Sequence, residues 1–400
     1  MKPFDVIIVG ARCGGASLAI FLAQKGYSVC MVDKNVFPSD NLSTHVFGGW
    51  ELYAQLNVED AIKKTGAPEM TRFRVGFEEC SFEAPMVVTP SVCGLRRIKH
   101  DQILLDETVK HPQITFMPNC RLTGLLYEGE EVCGITVKEE ETIKNLYGKV
   151  IVGADGRDSD VANLAGAAKY VVAESPRCIF YAYYKQVTLN PMPTFEFYWS
   201  DHDIVLVNPC DEDLHCLVVM PLQEHYKTWA RSPDSRLRHK ISQLSSLSSR
   251  FSGAQMIGKA RGTDRLESYL RQSYGRGWVL VGDAGAAVHP CAGAGIEQAM
   301  ACSKVLAACI DDFLTDRLPW SQAMDRYTEF RDPYVQQNMN AALSLAKLPP
   351  VQTDVIPWVR LISTLPTFTH KFIHQIPGFI SSTMDPAKFN GLKGMLGIND

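Results

Sequence analysis

The chain has 400 residues, 46% of them hydrophobic and 21% charged, and a formal net charge of −4. This is globular composition, which excludes disorder and collagen-like repeats. The charge leaves no basic field for a nucleic-acid backbone. No apolar run reaches the roughly 18–20 residues of a membrane span, and Val6–Val9 is too short for a signal peptide. The twelve cysteines are scattered with no C-x-x-C pair, which points to reduced thiols in a cytoplasmic protein and away from zinc.

The N-terminus reads strand, turn, helix, strand. Asp5–Val9 is an apolar run suited to a buried parallel strand. Gly10-Ala11-Arg12-Cys13-Gly14-Gly15 is the turn, Ala16–Lys25 the helix, and Gly26 its stop. Tyr27–Val32 is the second strand and ends at Asp33. The turn keeps the first and third glycines of the G-x-G-x-x-G fingerprint and replaces the second with Arg12. Gly10 permits the tight turn, and Gly15 permits close helix–strand packing. The helix start offers free N–H groups to a pyrophosphate, and Arg12 adds a cation. Asp33 can accept from ribose hydroxyls. The bland alternative is a βαβ turn without a ligand.

Residues 71–94 are rich in Phe, Val and Pro and alternate like strands. Arg97–Lys110 has helical patterning, and short strands follow to Val152. Val150–Val152 then runs into the Asp155-Gly156 turn. From Pro176 to Gly253 the chain reads as strands with one helix near Asp234–Leu247. Trp278–Val281 is a buried strand followed by Gly282-Asp283. Pro290-Cys291-Ala292-Gly293-Ala294-Gly295 then leads into a helix, Ile296–Leu314. Asp283 can reach a polyol chain, and the small residues let backbone approach a flat ring. A helix starting at Gly295 aims partial positive charge at that ring, which suits an anionic reduced flavin. From Leu348 six prolines predict short helices and loops. The apolar stretch Val355–Gly378 reads as a cap on the body of the protein, with membrane-surface contact as the alternative.

Taken together, these segments resemble the FAD-dependent oxidoreductases of the para-hydroxybenzoate hydroxylase and geranylgeranyl reductase superfamily, over most of the chain. Gly10–Gly15 matches the ADP-binding turn in a G-A-R-C-G-G variant. Gly153–Arg157 resembles the second motif, and Gly282–Asp283 through Gly295 the third. Residues Phe37–His45 and the arginine pair Arg96-Arg97 resemble further flavin-side segments. The resemblance implies that FAD is held by Gly10, Arg12, Cys13, Gly14, Gly15, Asp33 and Lys34 at one end. Thr44, Arg97, Asp155, Gly282 and Asp283 follow, with Pro290, Gly293, Ala294, Gly295 and Ile296 at the ring. Two positions depart from the pattern: Ala286 stands where a His is common, and Glu297 where an Asn is common.

The implied fold is α/β: a Rossmann-like FAD-binding domain (parallel sheet with helices) interleaved with a mostly antiparallel β-sheet substrate domain, plus a C-terminal helical tail. The expected FAD domain comprises 1–70, 95–175 and 254–347. The substrate domain comprises 71–94 and 176–253, and the cap 348–400. The implied activity is monooxygenation of a small aromatic or apolar organic molecule by molecular oxygen through a flavin C4a-hydroperoxide. NAD(P)H would dock transiently as electron donor, since no second Rossmann fingerprint is present. Prenyl (ene) reduction is the alternative. Its Tyr-x-Trp-x-Phe-Pro segment corresponds here to Ile204–Pro209, which keeps only the Pro. Halogenation, dehydrogenation and a non-catalytic flavin-binding module are further alternatives. No Trp-x-Trp of the halogenases occurs, and the lysine that they need cannot be placed from sequence. His45 and His289 are the acid/base candidates, each with a bland reading as a surface, capping or packing histidine. Tyr181, Tyr183, Tyr184, Phe195, Phe197, Tyr198 and Trp199 either line an apolar pocket or pack the sheet.

Overall fold

The computed structural model describes residues 3–348 except 79, 87 and 88, together with 357, 360, 361 and 364. The expected cap over 348–400 lies almost wholly outside the described residues.

Phe4–Val9 is the centre of an eight-stranded sheet. Val29–Val32 and then Ile114–Met117 lie on one side of it, and Thr142–Gly153 and Trp278–Leu280 on the other, all parallel. A strand buried on both faces needs a continuous apolar run, and Val6, Ile7 and Ile8 are fully buried. The hairpin Cys120–Glu128/Glu131–Glu139 extends this sheet through the first half of Thr142–Gly153. One face is covered by the helix Cys13–Ala23, every residue of which is buried. Two longer neighbours, Arg97–Thr108 and Gly295–Leu314, pack on that helix.

The second sheet has seven strands in the order Gln255–Thr263, Ile179–Lys185, His215–Met220, Asp203–Pro209, Thr194–Ser200, Arg72–Phe77, Cys80–Pro85. All pairs are antiparallel except Thr194–Ser200 with Arg72–Phe77. Strand alternation divides its aromatics. Tyr181, Phe197 and Trp199 face the dinucleotide domain, whereas Phe180, Tyr184 and Tyr198 pack beneath Tyr226–Ala230, Pro233–Gln243 and Ser245–Arg250. The helix expected near 234–247 is thus two helices, because Leu244 takes an extended conformation between them. Gln255–Thr263 pairs with Ile179–Lys185 as this sheet's edge, whereas the expected boundary at 254 assigns it to the dinucleotide domain. Val92–Gly94 instead joins Val46–Phe47 and Glu69–Met70 in a small separate sheet.

The longest helix, Trp320–Ala346, has no counterpart in the sequence expectations. Its buried positions Ala323, Met324, Tyr327, Arg331, Val335, Met339, Ala342 and Ala346 form one stripe at helical spacing. Charged residues on the other face and Pro333 inside the helix mask that stripe.

Candidate active site

A cleft of about 1150 Å³ runs along the carboxyl ends of the parallel strands and continues toward the seven-stranded sheet. This is where ligands bind in open parallel sheets, beside the strand whose neighbours lie on both sides. The turn after Phe4–Val9 forms its floor. Gly10 has φ +108°, and a β-carbon there would stand 2.4 Å from the Ala154 carbonyl oxygen. At Gly15 a β-carbon would stand 1.8 Å from the Gly10 oxygen. The helix start is therefore pressed against the strand, and no side chain caps its N-terminus. Its first N–H groups are left for a ligand. Arg12, Cys13, Gly14, Asp33 and Lys34 all line this end. Asp33 holds the turn with one oxygen, accepting from Ala11 N at 2.8 Å. Its other oxygen accepts from Asn35 N at 2.8 Å.

Arg12 is committed elsewhere than the sequence suggests. It donates to Asp101 Oδ2 at 2.7 Å, to Ser39 Oγ at 3.0 Å and to the carbonyls of Ser39 and Asp40. It braces the 39–40 loop from the cleft wall. Arg97 is buried and forks onto Asp101 with two bonds of 2.8 Å. Burial pushes the Asp101 carboxyl up, but Arg97 and His100 outweigh it and hold it below the usual carboxylate range. Asp101 went unremarked in the sequence, although its i+4 spacing from Arg97 was the available signal.

At the other end, Asp283 lines the cleft and pairs with Arg157 Nε at 3.4 Å. Arg157 also donates to the carbonyls of Glu267 at 2.7 Å and Val288 at 2.6 Å, so one side chain ties three segments together. Gly282, Pro290, Gly293, Gly295 and Ile296 line the wall, and the helix Gly295–Leu314 opens beside them without a side-chain cap on its Ala294 N-cap residue. Asp155 lines the cleft but points its oxygens at its own chain. It accepts from Ser159 Oγ at 2.5 Å, Asp160 N at 2.7 Å and Val161 N at 3.2 Å, capping the Asp160–Leu164 helix. Thr44 lines the cleft as well.

The two histidines occupy different roles. His45 is fully buried with φ +61°, a conformation rare outside glycine. Its Nδ1 accepts from Arg97 N at 3.2 Å, and its Nε2 lies 2.8 Å from Tyr183 Oη. Burial, aided by the Arg97 charge, lowers its pKa to about 3. The ring is therefore neutral, its proton sits on Nε2, and it donates to Tyr183. The Tyr183 hydroxyl proton remains free for another acceptor. His289 is also fully buried. Its Nδ1 accepts from Cys291 N at 3.2 Å, capping the Pro290–Ala292 turn, and burial lowers its pKa to about 3.

Cys291 of the ring-side loop belongs to the same buried cluster as Tyr181, Phe197 and Trp199, with Leu42 packed against it. Burial pushes its thiol up to about 12, so it is a packing residue rather than a nucleophile.

A doubly uncapped cleft, with one helix N-terminus at the glycine turn and a second beside a small-residue loop, fits an extended dinucleotide with a flat ring. Gly10 and Gly15 let the helix start close onto the strand at one end, and Gly293 and Gly295 have open space at the other. The architecture is that of a flavin-dependent oxidoreductase. The family model described as "FAD binding domain" matches residues 3–342, and the chain belongs to that family. It is 22% identical over 312 residues to 1H-pyrrole-2-carbonyl-[peptidyl-carrier protein] brominase of Pseudoalteromonas luteoviolacea, covering 75% of each chain. It is 22% identical over 346 residues to digeranylgeranylglycerophospholipid reductase of Methanocella arvoryzae, covering 82% of each. Among solved structures, the flavin-dependent brominase Bmp2 shares the fold over 100% of both chains, with TM-score 0.79 and 19% identity. PqsL of Pseudomonas aeruginosa, in complex with 2-aminobenzoylacetate, matches with TM-score 0.74 and 18% identity, over 86% of this chain and 96% of that one. The expected superfamily, fold class and FAD cofactor all stand. Among the described residues, no helix is long and apolar enough to cross a membrane.

Proposed function

We propose that the chain is an FAD-dependent monooxygenase acting on a small aromatic or apolar organic substrate, with NAD(P)H as reductant. The observation that carries this reading is the aromatic sheet face of Tyr181, Phe197 and Trp199 meeting Cys291 of the ring-side loop in one buried apolar cluster. Bound flavin supplies electron transfer and oxygen activation. The chain's own residues orient the substrate and exclude water. Trp199 Nε1 is buried with no acceptor among the described residues, so the same face offers a donor to a substrate oxygen. Tyr183, its oxygen engaged by His45, offers a second donor. His45 is a positioning residue that fixes the Tyr183 hydroxyl, and His289 shapes the loop. Arg97, Asp283 and the two bare helix starts hold the cofactor.

Halogenation is the second reading, because the brominase match covers three-quarters of each chain. The cleft-lining lysines among the described residues are Lys34 and Lys169, and neither belongs to the aromatic cluster. This favours oxygen transfer to the substrate. The deciding experiment reduces the FAD-loaded protein anaerobically and mixes it with labelled oxygen and an aromatic candidate, with and without bromide. Labelled oxygen in the product supports monooxygenation, and bromide-dependent product supports halogenation. Return to oxidised flavin with a substrate double bond saturated overturns both. Within the first outcome, Tyr183→Phe is expected to lower kcat by roughly tenfold or more, for one lost hydrogen bond, while FAD content is unchanged.

A further inference from the structure

The cleft has a limb around Tyr269, beside Asp283, lined by Lys169, Ser175, Gln223, Glu267 and Arg271. The limb rests on the three-stranded sheet of Lys169–Ala173, Ser268–Arg271 and Ala286–Ala287. Strand register sets Lys169 opposite Arg271. Both cations lie over the Tyr269 ring, Lys169 Nζ at 4.2 Å and the Arg271 guanidinium carbon at 5.3 Å from its centroid. The Tyr269 hydroxyl donates to Asp283 O at 2.6 Å, fixing the ring.

Three nearby cations have carboxylates. Arg157 pairs with Asp283 at 3.4 Å, Lys169 with Glu267, and Arg331 with Asp332 at 2.7 Å. Arg271 is different. It is 6% exposed, and its Nε and Nη1 are buried without any hydrogen-bond partner among the described residues. It has no ion-paired carboxylate there either. Its backbone is pinned on both sides, N to Gly285 O at 2.9 Å and O from Arg331 Nη2 at 2.8 Å. The main chain is thereby fixed, and the side chain lines the cleft. A buried guanidinium with no paired carboxylate and two donors without acceptors is unfavourable, and the Tyr269 ring offsets that only in part. Its planar fork of donors matches an oxyanion.

We infer that this limb is the receiving site for an oxyanion group, phosphate or carboxylate, of a second ligand that visits the FAD-loaded protein. Arg271 is the fork, Lys169 supports it from the rim, and Tyr269 is the floor. Two sources share this chemistry: the phosphates of a nicotinamide electron donor, and an acidic group on the organic substrate. The inference is independent of whether the flavin oxygenates or reduces.

The test titrates the FAD-loaded protein with inorganic pyrophosphate, read by calorimetry and flavin fluorescence. Wild type is expected to bind saturably. Arg271→Gln is expected to bind about ten- to a hundredfold more weakly, the loss of one or two charge-assisted bonds. Lys169→Gln, at the rim where folding is not at stake, is expected to weaken binding a few-fold. No saturable binding by wild type, or equal binding by the Lys169→Gln and Arg271→Gln proteins, overturns the assignment. Arg271→Gln that folds but loses FAD also overturns it, since the arginine would then serve the cofactor. Pyrophosphate that slows anaerobic flavin reduction by NADPH, relieved by more NADPH, identifies the donor as source. Competition against the organic substrate alone identifies the substrate.

Discussion

Gly15 and Gly14 are neighbours in one turn, yet the structure treats them differently. A β-carbon at Gly15 would overlap the Gly10 oxygen, whereas at Gly14 it would meet only the Ala299 methyl, at an ordinary 3.8 Å. Gly15→Ala is expected to destabilise the protein by about 1–3 kcal/mol or more and to purify with little flavin. Gly14→Ala is expected to keep the melting temperature of the flavin-free protein within a few degrees. Thermal unfolding with flavin absorbance checks both. The buried histidines make a second prediction. In the folded protein His45 and His289 take up protons only near pH 3. In the unfolded chain a histidine does so near 6.5. Between those values the unfolded state holds more protons, so stability falls as pH is lowered from about 6.5, by up to about 3 kcal/mol each at pH 4. Depressed carboxylates such as Asp101 add a loss in the same direction, but only below about pH 4. Urea midpoints between pH 7 and 4.5 test this, and His289→Gln should flatten the slope. The glycines of the turn were legible in the sequence because only steric freedom was at issue. The partners of Arg12 and His45 were not legible, since Asp101 and Tyr183 lie 89 and 138 residues away.

Elements show the same division. The first βαβ unit and the ring-side helix were readable, because each combines an apolar period with a glycine signal, and the Arg97 helix was readable from its helical patterning. The Trp320–Ala346 helix was not, because Pro333 and the charged residues between its buried positions mask the stripe. What holds its end is Arg177, 1% exposed, on the approach to Ile179–Lys185. It donates to the carbonyls of Ala346 at 2.7 Å, Leu348 at 3.0 Å, His202 at 2.5 Å and Met220 at 2.9 Å. Two of these carbonyls belong to the helix end, where positive charge is favoured. Arg177→Met leaves four acceptors unsatisfied and is expected to cost about 2–4 kcal/mol. Hydrogen exchange around 343–348 should accelerate more than in the central sheet, and uniform protection there would contradict the clamp.

At the scale of the molecule, the two sheets are held by a charged hinge. Arg96 at the start of Arg97–Thr108 donates from N, Nε and Nη2 to Asp211, just past Asp203–Pro209, and Lys99 joins at 3.2 Å. Asp211→Asn removes the charge from a fully buried partner. It is expected to lower stability by about 3 kcal/mol and to broaden the unfolding transition as the sheets decouple. A single sharp transition at the wild-type midpoint would refute the hinge. The interleaving behind this hinge also fixes an order in time. Ser303 Oγ donates to Gly14 O at 2.8 Å across 289 residues of sequence, and Trp278–Leu280 closes the sheet beside Thr142–Gly153. On the ribosome, the glycine turn is therefore made first and completed last. Its apolar strand waits, unpaired on one side, until Thr142–Gly153 is made, and that strand in turn waits for Trp278–Leu280. A chain stopped before Gly295 should emerge colourless and aggregation-prone, however perfect its N-terminal fingerprint.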